Sequence, residues 1–185
     1  MATKPIPAPE LMRQLLHYEA ETGHLFWKHR DASWFCSHRT SAQAQADAFN
    51  RQVAGKRAFY SETHGYLYGC ILQKRLPAHR VVWAIHHGKW PNMCVDHING
   101  NKQDNRIENL RDVTVSENSR NQKLGPRNTS GVVGVSWDKN LNKWVVTITA
   151  EKRLWLGSYK EFNQAVSVRK EAESKFNYHP NHGRS

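Results

Sequence analysis

Apolar residues in this chain fall in short runs whose period changes from one stretch to the next. Leu11, Leu15 and Leu16 stand at helical spacing and predict an N-terminal helix, followed by a turn at Thr22-Gly23 and a strand at Leu25-Phe26-Trp27. Ser41 to Ala48, rich in Ala and Gln, reads as a short exposed helix or an insertion loop, and the rest of 31–54 has no clear pattern. Tyr66 to Leu72, running into Gln73-Lys74-Arg75, reads as a strand or hairpin. Ala78 to His87 reads as a helix, with Pro77 near its start and Gly88 just past its end. A short β-branched strand then ends at Asp96-His97 and turns at Asn99-Gly100, and the capping-box pattern Thr114-x-x-Glu117 starts a further helix at about Val115.

Beyond Gly131 the period becomes two. Val132 to Trp137, Lys143 to Thr149 and Lys152 to Gly157 predict three strands, and Phe162 to Phe176 predicts a helix with an apolar stripe of Ala165, Val168, Ala172 and Phe176. Alternation turns Trp144, Val146, Ile148, Leu154 and Leu156 toward that helix. Thr147, Thr149, Arg153 and Trp155 are left on the open face, where they suit contacts in a DNA groove. Between the two patterned regions, Asn121 to Gly131 reads as a linker. Its Lys123 and Arg127 either lie along phosphates or belong to a solvated tether. The domains read as 1–60, an N-terminal accessory region; 61–121, a core; 122–130, a linker; and 131–178, a sheet-helix module.

Composition narrows the partners. In 185 residues, 27 Lys and Arg oppose 16 Asp and Glu, a formal charge of +11, which favours a polyanion and opposes an acidic protein surface. Cys36, Cys70 and Cys94 are scattered without C-x-x-C spacing, so neither a disulfide framework nor a Cys-rich zinc site is indicated, and a reducing cytoplasm fits. No run approaches the roughly 20 apolar residues of a membrane span. The expectation is a soluble protein of the cytoplasm.

The chemistry concentrates between Val95 and Asn118. Phosphodiester hydrolysis needs a base for water, a cation for phosphoryl charge, and a group that orients the base. Asp96 and His97 point to opposite sides of their strand and can serve metal and water separately. Asn109, on the returning strand, has a side-chain oxygen that can accept from the His97 ring, and a helix packed on the hairpin can aim Asn118 at Asp96. Arg80 either holds the scissile phosphate or pairs with a nearby acid. Asn105 reads as a turn residue alone. The bland alternative makes Asp96, Asn109 and Asn118 turn and cap residues too.

Four segments, His79-Arg80-Val81-Val82-Trp83, Asp96 to Asn101, Asp104 to Arg111 and Glu117 to Asn121, together resemble the HNH nucleases of ββα-metal fold, most closely the phage and intron-encoded homing endonucleases. The resemblance implies His97 as general base, Asn109 as the residue orienting it, and Asp96 and Asn118 as metal ligands. The signature here is H-N-N, which favours oxygen-ligated Mg²⁺ or Mn²⁺ over zinc. The Gly-Val-Ser-Trp, Lys-Trp-Val and Leu-Gly-Ser-Tyr pieces of the C-terminal module resemble the DNA-binding domain of plant ethylene-response factors, although Ser136, Asp138, Thr147 and Thr149 stand where that family crowds arginines.

The chain thus reads as α+β, a ββα-metal core plus a C-terminal three-stranded antiparallel sheet with one helix. Its expected activity is metal-dependent cleavage of double-stranded DNA, one strand per site, with monomer and dimer both open. The metal cluster is read as lying wholly within the segment ending near Asn121, separable from the module. The rival readings are a non-catalytic DNA-binding regulator and a nuclease directed at RNA.

Overall fold

In the computed structural model, which describes residues 5–36 and 40–184, Pro9 and Glu10 start helix α1 (Pro9–Leu15), and the chain passes at Leu16 directly into β1 (Leu16–Glu19) and then β2 (His24–Trp27). Leu16, read from its spacing as helical, belongs to the strand. The Ala/Gln-rich stretch is helix α2 (Ala42–Gln52), its Ser41 side chain capping the Ala44 amide. Next, β3 (Arg57–Ala58) joins β1 and β2 in one antiparallel sheet. A second is built from β4 (Ser61–Thr63), β5 (Tyr66–Ile71) and β6 (Lys74–Pro77).

Helix α3 (Ala78–His87) follows at once and ends at Gly88, as its pattern predicts. Arg13 of α1 donates from Nε to the Ile85 carbonyl at 2.8 Å, a cation closing the helix's C-terminal end. Met12, Leu16, Leu25, Leu76, Val82 and Leu110 share one core, so residues before and after position 60 fold around the same apolar centre. Truncating one of these side chains to Ala would cost roughly 2–5 kcal/mol.

The pair β7 (Cys94–His97) and β8 (Leu110–Val113) forms a two-stranded sheet, followed by helix α4 (Val115–Ser119) with the predicted Thr114/Glu117 capping box. The order β7-β8-α4 is the ββα arrangement. The chain divides at Asp112 into two compact units, and α4 falls in the second.

In that second unit, β9 (Val135–Asp138), β10 (Lys143–Thr149) and β11 (Arg153–Tyr159) form an antiparallel sheet in the order β11-β10-β9. Helix α5 (Phe162–Lys175) packs on it through Val135, Val146 and Ala165. The helix also buries two charged residues that its apolar stripe did not suggest, Arg169 and Glu173, paired at 2.9 Å. Arg169 further donates to the Thr147 carbonyl and to Nε2 of His182. Asn121, Gln122 and Leu124 are tied down. The Leu124 amide donates to the Arg184 carbonyl, the Gly183 amide to the Gln122 carbonyl, and the Arg184 side chain to the carbonyl and side-chain oxygens of Asn121. The end of the chain is a strap across the segment read as a linker. Among the described residues, no helix is long and apolar enough to cross a membrane.

Candidate active site

Asp96 and His97 close β7, and both are buried. The strand's alternation sends them to different partners. Arg111, on β8, donates to Asp96 Oδ2 from Nε at 3.0 Å and from Nη2 at 2.7 Å.

Asn105 holds the His97 ring, with its side-chain oxygen 3.1 Å from Nε2. An amide oxygen only accepts, so Nε2 carries the proton and the basic lone pair is on Nδ1. Burial pushes the imidazole below its ordinary range, against the opposing pull of Asn105, Asp96 and Asp104. The ring is therefore neutral near pH 7, the form that can accept a proton.

Asn109, expected on that ring, is engaged elsewhere. Its side-chain oxygen accepts from the Asn99 amide at 2.9 Å, and its side-chain nitrogen donates to the Asp104 carbonyl at 2.8 Å. It ties together the two ends of the 98–109 loop, and its backbone carbonyl accepts from the Ile98 amide. The exchange has a local cause: Asn109 ends a 3₁₀ turn (Ile107–Asn109) beneath the loop, whereas Asn105, buried within the loop, faces the imidazole. Asp104 stiffens the same loop. It accepts from Asn99 and from two Arg106 nitrogens, all at 2.8 Å, and the Arg106 bonds hold its carboxyl down at about 2.

Two further rings crowd that of His97. His79, in the first turn of α3, lies edge-on at 5.1 Å between centroids, and Tyr66 of β5 lies at 5.9 Å. Lys102 Nζ stands 4.5 Å from the Tyr66 ring centroid. Burial, helped by His97 and Arg80, drives the His79 imidazole down to about 3, and its Nδ1 is enclosed without a hydrogen-bond partner. Residues 76–120 match the family model of the HNH endonucleases.

That segment runs from the end of β6 to the residue after α4 and contains Asp96, His97, Asn105, Asn109, Arg111 and Asn118. Over 74 residues the chain is 42% identical to Protein 3.8 of Escherichia phage T7, a match taking in 40% of this chain and 61% of that relative's length. No solved structure matches the chain.

The remaining predicted residues are placed as follows. Arg80 is half-buried and donates to the Met93 carbonyl at 3.0 Å. Asn118 lies on α4 in the second unit, and its carboxamide makes no hydrogen bond among the described residues. On the sheet of the second unit, Trp155 is 67% exposed, Arg153 and Thr149 are exposed, and Arg153 Nη2 reaches Thr147 Oγ1 at 3.4 Å. Lys123 and Arg127 are exposed.

Sequence reasoning gave no role to Tyr66, Lys102 and Arg111, and gave Asn105 only a turn. Arg111 was within reach of it, because a basic residue on the strand returning past a buried Asp is its natural counter-ion. Tyr66 and Lys102 come to the site through loop packing between distant segments, which no local pattern encodes.

Proposed function

We propose that this chain is a metal-dependent DNA endonuclease of the HNH type, hydrolysing a phosphodiester bond in one strand of a duplex per active site. The observation that carries this reading is the Asp96-His97 pair: a buried carboxylate held by Arg111 beside a neutral imidazole whose proton is fixed on Nε2 by Asn105. The match of residues 76–120 to the HNH endonuclease family supports it.

His97 takes a proton from the attacking water at Nδ1. The new oxygen bond forms at phosphorus while the bond to the 3′ oxygen breaks, leaving a 5′-phosphate and a 3′ oxygen that is protonated from water. Asn109 and Asp104 keep the loop rigid, so Asn105 and the ring hold their geometry through the reaction. Asp96 and Asn118 are the residues that would hold a divalent cation. A carboxylate and a carboxamide offer oxygen donors, which suit Mg²⁺ or Mn²⁺, ions that keep much of their shell as water and phosphate oxygen. When bound, such a cation supplies Lewis-acid stabilisation of charge on the phosphate and the leaving oxygen. Arg80 lends a cation near the phosphate.

Thr147, Thr149, Arg153 and Trp155 read duplex DNA from the open sheet face, and Lys123 and Arg127 follow its phosphates. The module's resemblance to the ethylene-response-factor domain rests on its sequence pieces and on its sheet-and-helix form. A single site nicks as a monomer and cuts both strands as a dimer. The phage relative suits a homing-type or other phage role.

Supercoiled plasmid incubated with the protein, with Mg²⁺ or Mn²⁺ and with chelator, tests the reading. Open circles that form only with metal are expected. A retarded plasmid that stays supercoiled under every metal condition would make the chain a DNA-binding regulator, and cleavage confined to an RNA competitor would redirect the substrate.

A further inference from the structure

Tyr66 is the first residue of β5, and strand alternation turns Leu67 and Ile71 into the core while Tyr66 and Tyr68 face away from it. Tyr66 is nonetheless half-buried. Its ring is walled by His79 at 5.2 Å and His97 at 5.9 Å between centroids, with the Lys102 ammonium 4.5 Å from its own centroid. Lys102 is itself placed: its Nζ donates to the His64 carbonyl at 3.1 Å, and its neighbour Gln103 donates to Glu62 at 3.0 Å, docking the 98–109 loop on the β4–β5 hairpin.

The packing accounts for the ring but not for the hydroxyl, since a phenylalanine would fill the same space. Among the described residues that hydroxyl has no hydrogen-bond partner and is not sealed from solvent. Burial raises the phenol's pKa and Asp96's charge raises it further, so near neutral pH the group is a protonated donor. A donor without a hydrogen-bond partner, on a ring that packs against the candidate base and carries an ammonium over its face, suits an oxyanion. The substrate's oxyanion in this setting is the phosphate under attack.

We propose that Tyr66 is a catalytic residue of this nuclease, its hydroxyl donating a hydrogen bond to a non-bridging oxygen of the scissile phosphate, with the Lys102 ammonium over the face of the same ring. The inference rests on the nuclease reading above. The hydroxyl and the His97 ring approach one phosphate together, one on its oxygen and the other on the attacking water.

The test is Tyr66→Phe, which keeps the ring against His79, His97 and Lys102 and deletes only the hydroxyl. Its melting temperature and duplex affinity should stay near wild type, while cleavage at saturating duplex falls about 10- to 100-fold, the range for a hydrogen bond to a charged group. A second measurement uses duplexes with one non-bridging oxygen of the cut phosphate replaced by sulfur. One diastereomer should slow the wild type and leave Tyr66→Phe no slower than it is on the natural duplex. A variant that cuts as fast as the wild type, or thio effects of equal size in both proteins, overturns the assignment while the nuclease reading stands. A wild type that cuts no duplex overturns both.

Discussion

His79 shows how a single side chain at this site couples stability to pH. It is 8% exposed and neutral, with its pKa driven from an ordinary 6.5 to about 3. A lowered folded-state value means that the unfolded chain binds a proton between those limits and the folded chain does not. The stability it contributes is therefore complete above about pH 6.5 and is lost as pH falls toward 3, by at most ~1.4 kcal/mol per pH unit. Urea unfolding at pH 7.5 and 5.0 should show this loss, and His79→Gln should flatten the slope between them. Equal slopes in both proteins would mean that the ring is solvated. At the same scale, Asp96 and His97 were legible as neighbours closing a strand, because alternation sends adjacent side chains to different partners. The partner of the His97 ring was not legible. Asn105 and Asn109 are chemically identical, and only the path of the loop decides which amide meets the imidazole.

Among the elements, the β1–β2 hairpin matters most for the site. Its turn residue Gly23 lies so close to the site loop that a Cβ there would come within 2.5 Å of the Arg106 nitrogen and 2.6 Å of the Asn105 carbonyl carbon. From the same hairpin, Tyr18 accepts from the Ile107 amide at 2.9 Å. Gly23→Ala should therefore displace Asn105, lowering stability by about 2–4 kcal/mol from left-handed strain plus overpacking, and slowing cleavage. Gly55→Ala is the control: its φ of 76° is close to the 73° of Gly23, but nothing lies within 4 Å of its Cβ position. It should cost only about 1–2 kcal/mol and leave cleavage unchanged. Equal effects from the two substitutions would remove the hairpin from the site. The terminal strap makes a second prediction. Arg184→Ala removes the side-chain bonds to Asn121, so the Leu124 and Gly183 amides should exchange hydrogen faster, and the second unit should lose about 1–2 kcal/mol. Unchanged protection would show that the backbone bonds suffice. Helix α3, α4 with its capping box, β10 and α5 were legible from period and cap residues. The strap was not, because Gly-Pro and polar residues read as linker whether or not something distant binds them.

For the molecule as a whole, α4 is in the second compact unit although its sequence continues the β7–β8 hairpin. The sequence pattern placed the metal cluster in a segment separable from the module. The strap instead ties the residues after Asn118 to the chain's end, so truncation at 130 should disturb more than DNA recognition. Arg153→Ala and Trp155→Ala are cleaner probes of the open face. Each should weaken site preference by about 1–3 kcal/mol if it touches bases, whereas a purely phosphate role for Arg153 would weaken all sequences alike and flatten the salt dependence. Duplex binding that neither variant alters would make that face ordinary surface. The central claim, that Asp96 and His97 perform metal-dependent hydrolysis, is tested most directly by measuring duplex affinity and plasmid nicking in parallel for wild type, Asp96→Ala and His97→Ala in chelator-treated, metal-restored buffer. The account predicts that both variants bind duplex with near wild-type affinity and nick at least about a hundredfold more slowly. A His97→Ala protein that nicks at the wild-type rate would contradict it.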